Sequence, residues 1–253
     1  MFRPRVIPCL LLKNKGLVKT VNFKNPIYIG DPINAVRIYN EREADELIFL
    51  DITASKEKRS LPYDLIQKIA DEAYMPFAVG GGITNIDQIK KLFNIGTEKV
   101  VINTTSVLNP ILIEKAASIF GSQSIVVSID VKKNFWGEYD VFILGGTKVT
   151  KIDPVEHAKK MEMMGAGEIF INSIDKDGTM QGYDLEIIHK IADSVNIPVI
   201  ACGGAGQIDD FSKAVNEGGA SAVAAGSLFV FYGSRKGVLI NYPEKDELKD
   251  IIN

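Results

Sequence analysis

Residues 76–87, PFAVGGGITNID, and residues 198–209, PVIACGGAGQID, share a Pro, a Gly pair and an Ile-Asp at a constant separation of 122 positions. Each stretch reads as a short apolar strand, a glycine turn and the start of a helix. Working outward, the same offset carries Asp31-Pro32 onto Asp153-Pro154, Ala44 and Glu46 onto Ala166 and Glu168, and Asn94 and Gly96 onto Asn216 and Gly218. Recurrent Pro and Gly in any βα protein account for some of these matches. A fixed register over this length is better explained by two similar halves, about 1–122 and 123–253.

Eight apolar runs rich in Val and Ile, at 6–12, 47–52, 76–79, 99–102, 124–129, 168–172, 198–202 and 220–225, alternate with stretches of helical period. That alternation signals repeated βα units around a parallel sheet. The length of 253 residues suits one such closed barrel. We therefore expect an α/β chain, a single (βα)8 TIM barrel built from two homologous half-barrels. Asp31-Pro32, Asp153-Pro154 and Asn109-Pro110 are expected to start helices, with Asp or Asn as the cap and Pro in the first turn.

The composition is 46% hydrophobic and 24% charged, with a formal net charge of −3. This balance offers no bulk attraction to nucleic acid, so an anionic ligand must be caught by local groups. No apolar run is long enough to span a membrane, and the start MFRPRVIPCLLLK lacks a signal-peptide pattern. A cytoplasmic protein is expected. Cys9 and Cys202 read as small core residues, and His157 and His189 fall in helices without metal-ligand spacing. No metal and no cofactor are expected.

A (βα)8 barrel carries its chemistry at the carboxyl ends of the strands. Gly81-Gly82 and Asn103-Thr104 follow the third and fourth runs, and Gly203-Gly204 and Gly226-Ser227 follow the seventh and eighth. Glycine lets backbone N–H groups approach an oxyanion, so two phosphate pockets are expected, although paired glycines also serve tight turns alone. Lys13, Lys15, Lys19 and Lys24 lie in a stretch without acidic residues. They could form a lid over an anionic ligand, or simply a solvated loop face. Residues 131–150 carry Phe135, Trp136, Tyr139 and Phe142 and read as a hairpin on the rim. Asp51, Asp130, Asp175 and Asp177 are the strand-end carboxylates, and Asp130 is the best placed for acid or base work.

The motifs IPCLLLK, VNF, GDP, ADELIFLDITAS, VGGGI, INTTSV, FGSQSIVVSID, GAGEIFINSIDKDGTMQGYDL, IPVIACGGAG and EGGASAV resemble the cyclase subunit of imidazole glycerol phosphate synthase over nearly the whole chain. The resemblance implies a barrel that grips a bisphosphorylated ribonucleotide at both ends. A glutaminase would dock on the opposite, amino-terminal face and send ammonia through the barrel. It implies phosphate contacts from Gly82, Asn103, Thr104, Asp177, Gly178, Gly203, Gly226 and Ser227, with Lys19 on the mobile loop. It also implies a charged ring at the amino-terminal face, here Arg5, Glu46, Lys99 and Glu168.

One departure matters. The family's catalysis uses aspartates on strands 1 and 5, and here Asp130 matches the second while Leu11 stands at the first. Loss of a positioned acid or base typically costs 10²- to 10⁴-fold in rate. A branch of the family resembles this chain in that apolar residue and in its LVKTVNFKNPIYIGDP loop. That branch is associated with surface-polysaccharide clusters, where barrel and glutaminase supply ammonia to a third protein that makes an acetamidino sugar. The resemblance therefore implies an ammonia-supplying barrel subunit for surface-sugar amidination. The alternative is an active histidine-pathway cyclase in which Asp130, alone or with Asp51, suffices or a water replaces the missing group. A third reading is a non-catalytic conduit whose phosphate sites regulate the glutaminase.

Overall fold

A computed structural model of the chain describes residues 4–233, 235–244 and 246–248. Eight parallel strands close a barrel: β1 (Arg5–Lys13), β2 (Leu47–Asp51), β3 (Phe77–Gly80), β4 (Lys99–Ile102), β5 (Ile125–Lys133), β6 (Glu168–Ser173), β7 (Val199–Cys202) and β8 (Ala222–Ala225). Each strand pairs with its sequence neighbour, and β8 pairs with β1 to complete the ring. The (βα)8 expectation is met.

Among the described residues, seven helices of eight to ten residues cover the outside: α1 (Pro32–Glu41), α2 (Tyr63–Glu72), α3 (Ile86–Ile95), α4 (Ile111–Phe120), α5 (Pro154–Met163), α6 (Leu185–Ala192) and α7 (Ile208–Asn216). Asp31 caps α1 by accepting from the N–H groups of Ile33 and Asn34, and Asp153 caps α5 through Val155 and Glu156. Asn109 does not do the same for α4. It closes the short helix Thr104–Leu108 by donating its N–H to the Thr105 carbonyl, and its own backbone carbonyl accepts the Leu112 N–H, so α4 starts without a side-chain cap.

The strand ladders refine the 122-residue offset. Leu11 pairs with Leu50, and Asp130 pairs with Asn172. Leu50 and Asn172 are 122 apart, whereas Leu11 and Asp130 are 119 apart. The segment that follows β5 is three residues longer than the one after β1. Lys99 lies opposite Ala78, and Ala222 lies opposite Ile200, so β4 and β8 match at 123. One extra residue precedes β8.

Alternation along the strands sends one set of side chains outward against the helices and another into the lumen. The lumen core is apolar, with Ile7, Ile48, Val101, Val126, Phe170 and Ile200 buried across it. Its amino-terminal end is closed by charge. The Arg5 guanidinium donates to Glu46 and, at 2.7 Å, to Glu168, and the Lys99 ammonium reaches Glu46 at 3.1 Å and Glu168 at 3.2 Å. Among the described residues, no helix is long and apolar enough to cross a membrane.

Candidate functional site

A cavity of about 290 Å³ opens at the carboxyl ends of the strands. Gly81-Gly82 and Gly203-Gly204 line it from β3 and β7, all with positive φ. The two turns are held alike. A Cβ on Gly81 would lie 2.5 Å from the Asp51 carbonyl oxygen, and one on Gly203 would lie 2.8 Å from that of Ser173, the residue 122 positions after Asp51. At both positions glycine is required by conformation and by space.

Asn103-Thr104 and Gly226-Ser227 line the same cavity from β4 and β8. The Asn103 amide donates to the Ser128 carbonyl at 3.1 Å, and the Thr104 hydroxyl accepts the Leu144 N–H at 3.1 Å. These bonds tie both residues to β5 and its hairpin. That hairpin is real: Tyr139–Ile143 runs antiparallel to β5, with Phe135 and Trp136 exposed at its tip.

The stretch 13–30, read from sequence as a loop, is a β-hairpin. Gly16–Val21 pairs back onto β1 and with Lys24–Gly30. Asn14, Lys15, Asn22 and Phe23 turn with positive φ, and the buried run Leu17, Val18, Lys19, Thr20 hides the strand alternation. The hairpin is fastened to the turn after β6. The Thr20 hydroxyl donates to Asp177 at 2.7 Å, the Phe23 N–H donates to the same carboxylate at 3.1 Å, and the Asn22 N–H donates to the Asp177 carbonyl at 2.9 Å.

The four lysines separate by role. Lys15 and Lys24 are exposed, Lys13 reaches the cavity wall, and Lys19 is buried. The Lys19 ammonium donates to the Cys9 carbonyl at 2.6 Å and lies where a Cβ on Gly226 would be, 2.1 Å away. Burial lowers its pKa. Burial also raises the Asp177 carboxyl, against the Phe23 and Thr20 hydrogen bonds and the charge of Lys19.

Asp130 emerges from β5 into the cavity with only 8% exposure. Desolvation pushes its pKa up to about 7, with Asp177 adding to the rise and the long Ser128 hydroxyl bond of 3.5 Å opposing it. A carboxyl poised there can give or take a proton near neutrality. On the matching rung of β1 stands Leu11, which also lines the cavity.

The other strand-end carboxylates are occupied. Arg59 grips Asp51 in a fork of 2.8 and 3.0 Å, and the Thr53 and Ala54 N–H groups complete its shell, so Asp51 orders the turn after β2. Asp175 is exposed and accepts the Lys133 N–H.

Two groups in the cavity wall escaped the sequence reading: Ser128 and Asn172 face inward on β5 and β6. Cys9 and Cys202 are buried core residues as read, and their free thiols also line the inner wall. Strand alternation from Asp130 marks Ser128, and the offset from Leu50 marks Asn172. His157 is buried, with its Nε2 3.1 Å from the Ser106 hydroxyl, while His189 is exposed beside Asp193.

The family model described as "Histidine biosynthesis protein" matches residues 5–235. The chain is 53% identical to the Pseudomonas aeruginosa protein named "Putative imidazole glycerol phosphate synthase subunit hisF2", over 98% of this chain and 99% of that one. It is 47% identical to the Leptospira interrogans "Putative imidazole glycerol phosphate synthase subunit HisF", over 98% of each. It is 45% identical to the Alkaliphilus metalliredigens "Imidazole glycerol phosphate synthase subunit HisF", over 90% of this chain and 91% of that one. Closed barrel, cavity and sequence agree that the chain belongs to the histidine-biosynthesis barrel family, among the homologues of subunit HisF.

Proposed function

We propose that this chain is the barrel subunit of a glutamine-dependent amidotransferase. A glutaminase docks at the amino-terminal face, around the ring of Arg5, Glu46, Lys99 and Glu168. Ammonia passes the ring and the apolar lumen to the cavity at the opposite face. There a phosphorylated small molecule is held from two sides. Gly82, Asn103 and Thr104 serve one end, and Gly178, Gly203, Gly204, Gly226 and Ser227 the other, with Lys19 and Asp177 closing the hairpin. The supporting geometry is the common cavity these residues line and the placement of Lys19 against Gly226. Asp51 supports the wall through Arg59.

In this reading the ammonia serves acetamidino-sugar synthesis for surface polysaccharide, through a third, sugar-modifying protein. The observation that carries it is Leu11 on the rung that matches Asp130. A leucine transfers no proton, so a mechanism needing one carboxyl on each side of the cavity is incomplete here. Purified with its glutaminase and supplied with ammonia, the chain is expected to leave the histidine-pathway ribonucleotide unconverted, and Leu11→Asp is expected to gain that conversion. Robust cyclisation by the unaltered chain would overturn the reading.

A second reading, the histidine-pathway cyclase itself, is favoured by Asp130, whose pKa of about 7 suits it to act as both acid and base in turn. Growth of a histidine auxotroph lacking its own cyclase, when supplied with this chain, selects this reading over the first.

A further inference from the structure

The two cysteines lie on the inner wall of the cavity, Cys9 on β1 and Cys202 on β7, and both are free thiols. They follow the alternation that sends Ile7, Cys9 and Leu11 from β1, and Ile200 and Cys202 from β7, into the lumen. Alternate strands of a (βα)8 barrel contribute side chains to one layer, so residues two strands apart meet there. Here the two thiols are hydrogen-bonded to each other.

The surroundings leave the pair to itself. Exposure is 4% at Cys9 and 7% at Cys202. The Lys19 ammonium donates to the Cys9 carbonyl at 2.6 Å, and the Tyr183 hydroxyl donates to the Ala224 carbonyl at 2.9 Å, so neither is spent on a sulfur. Lys19, Asp130 and Asp177 act on the pair through their charge. The mutual bond is the main cause that holds the Cys9 thiol below its ordinary value, and the same bond, with burial, pushes the Cys202 thiol well above it. The first proton leaves the pair readily, and the second is held between the two sulfurs.

A disulfide does not fit this place. β8 lies between β7 and β1, so the two backbones stand on the order of 9 Å apart, and a disulfide needs Cα atoms within about 7 Å. A tetrahedral zinc site does not fit either, because it takes four ligands and no group of three metal-ligating side chains occurs among the described residues. Two thiolates suit a soft ion of low coordination number, and thiolates select Cu(I). Charge points the same way. When a monovalent ion replaces the shared proton, one S–H bond breaks, two S–metal bonds form, one H⁺ leaves and the pair keeps its single negative charge. A divalent ion would add a positive charge beside Lys19 in a desolvated wall, where charge is costly.

We propose that Cys9 and Cys202 form a two-coordinate site for a soft monovalent cation, of the Cu(I) and Ag(I) class, in the inner wall of the cavity. The site uses none of the phosphate contacts and does not depend on which reaction the barrel serves. A bound ion faces Leu11 and Leu50, which pack on the same cluster, and so stands at the lumen end of the cavity.

The test uses the full chain, reduced and free of oxygen, titrated with Cu(I) held by bicinchoninate, and separately with silver nitrate and zinc sulfate. The chain is expected to withdraw one Cu(I) from the chelator with a thiolate-to-metal band in the near ultraviolet, to take one Ag(I), and to take no Zn(II). Cys9→Ser and Cys202→Ser are each expected to lose the band and the stoichiometric uptake, since one thiol cannot supply two ligands.

X-ray absorption at the copper edge examines the natural chain without any substitution, so it decides the matter even where a serine variant fails to fold. Two sulfur neighbours and no nitrogen or oxygen are expected. One equivalent retained in either serine variant, a nitrogen or oxygen neighbour on copper, or Zn(II) uptake equal to that of Cu(I) would overturn the site. So would a natural chain that leaves all of the Cu(I) with the chelator.

Discussion

Leu11 and Asp130 stand on matching rungs of β1 and β5, on opposite sides of one cavity, each paired with a residue 122 positions from the other's partner. The barrel keeps a carboxyl on one side and an alkyl group on the other. The consequence for Asp130 is isolation: desolvation, not a partner carboxyl on β1, is the main reason its pKa is near 7.

That displacement makes stability depend on pH with a definite sign. Between the ordinary value of 3.8 and about 7, the folded chain holds a proton that the unfolded chain has lost. Stability is therefore lost as pH rises through this window and levels off above it. Asp130→Asn, neutral throughout, is expected to match the natural chain near pH 4 and exceed it at pH 8, at up to ~1.4 kcal/mol per pKa unit. Urea unfolding at the two pH values checks this, and parallel curves would sink it. In the cyclase reading the same variant should also lose about 10²- to 10⁴-fold in turnover.

His157 acts in the opposite direction. Burial, with Lys160 nearby, holds its pKa down at about 4 against an ordinary 6.5, so the folded chain refuses a proton that the unfolded chain accepts. Its contribution is present above pH 6.5 and is lost as pH falls toward 4. His157→Gln keeps a polar partner for the Ser106 hydroxyl and is expected to lose less stability than the natural chain between pH 7 and 4.5. Thermal unfolding at both values reads the difference, and equal losses would show that His157 titrates normally.

The barrel was legible in the sequence because its signals are local: apolar runs, Asp-Pro helix starts and glycine turns each state their own conformation. The hairpin after β1 was not, because Thr20 is buried against the β6 turn and Lys19 against Cys9 and Gly226, contacts that no local pattern announces. The cavity glycines and Asp130 were found from position alone. The pairing of Asp51 with Arg59 could not be read from the sequence, since only the fold brings Arg59 round to it.

The ring at the amino-terminal face makes a separate prediction. Glu46 and Glu168 share Arg5 and Lys99, with side-chain exposures of 3%, 11%, 24% and 16% respectively. Arg5→Ala leaves two nearly buried carboxylates to a single ammonium, and a loss of about 2–4 kcal/mol is expected, discounted for the partial exposure of Arg5. Lys190→Ala, which breaks an exposed helical pair with Glu186, should cost under about 0.5 kcal/mol. Guanidinium unfolding of both variants decides it. Comparable small losses would mean that water reaches the ring and screens it.

Closure of the hairpin hinges on Gly178 and Thr20. Gly178 has φ +70, and a Cβ there would lie 2.1 Å from the Thr20 carbonyl oxygen, so alanine cannot be accommodated unless the hairpin lifts. Lifting would break the Thr20 and Phe23 bonds to Asp177 and withdraw Lys19 from Gly226. Gly178→Ala is therefore expected to speed amide hydrogen exchange across residues 16–30 while leaving α1 and β5 protected, and to weaken inorganic phosphate binding severalfold. Exchange that stays slow over 16–30 would show the hairpin to be held by its own strand pairing with β1. In that case Lys19 would keep its place over the cavity whatever stands at position 178.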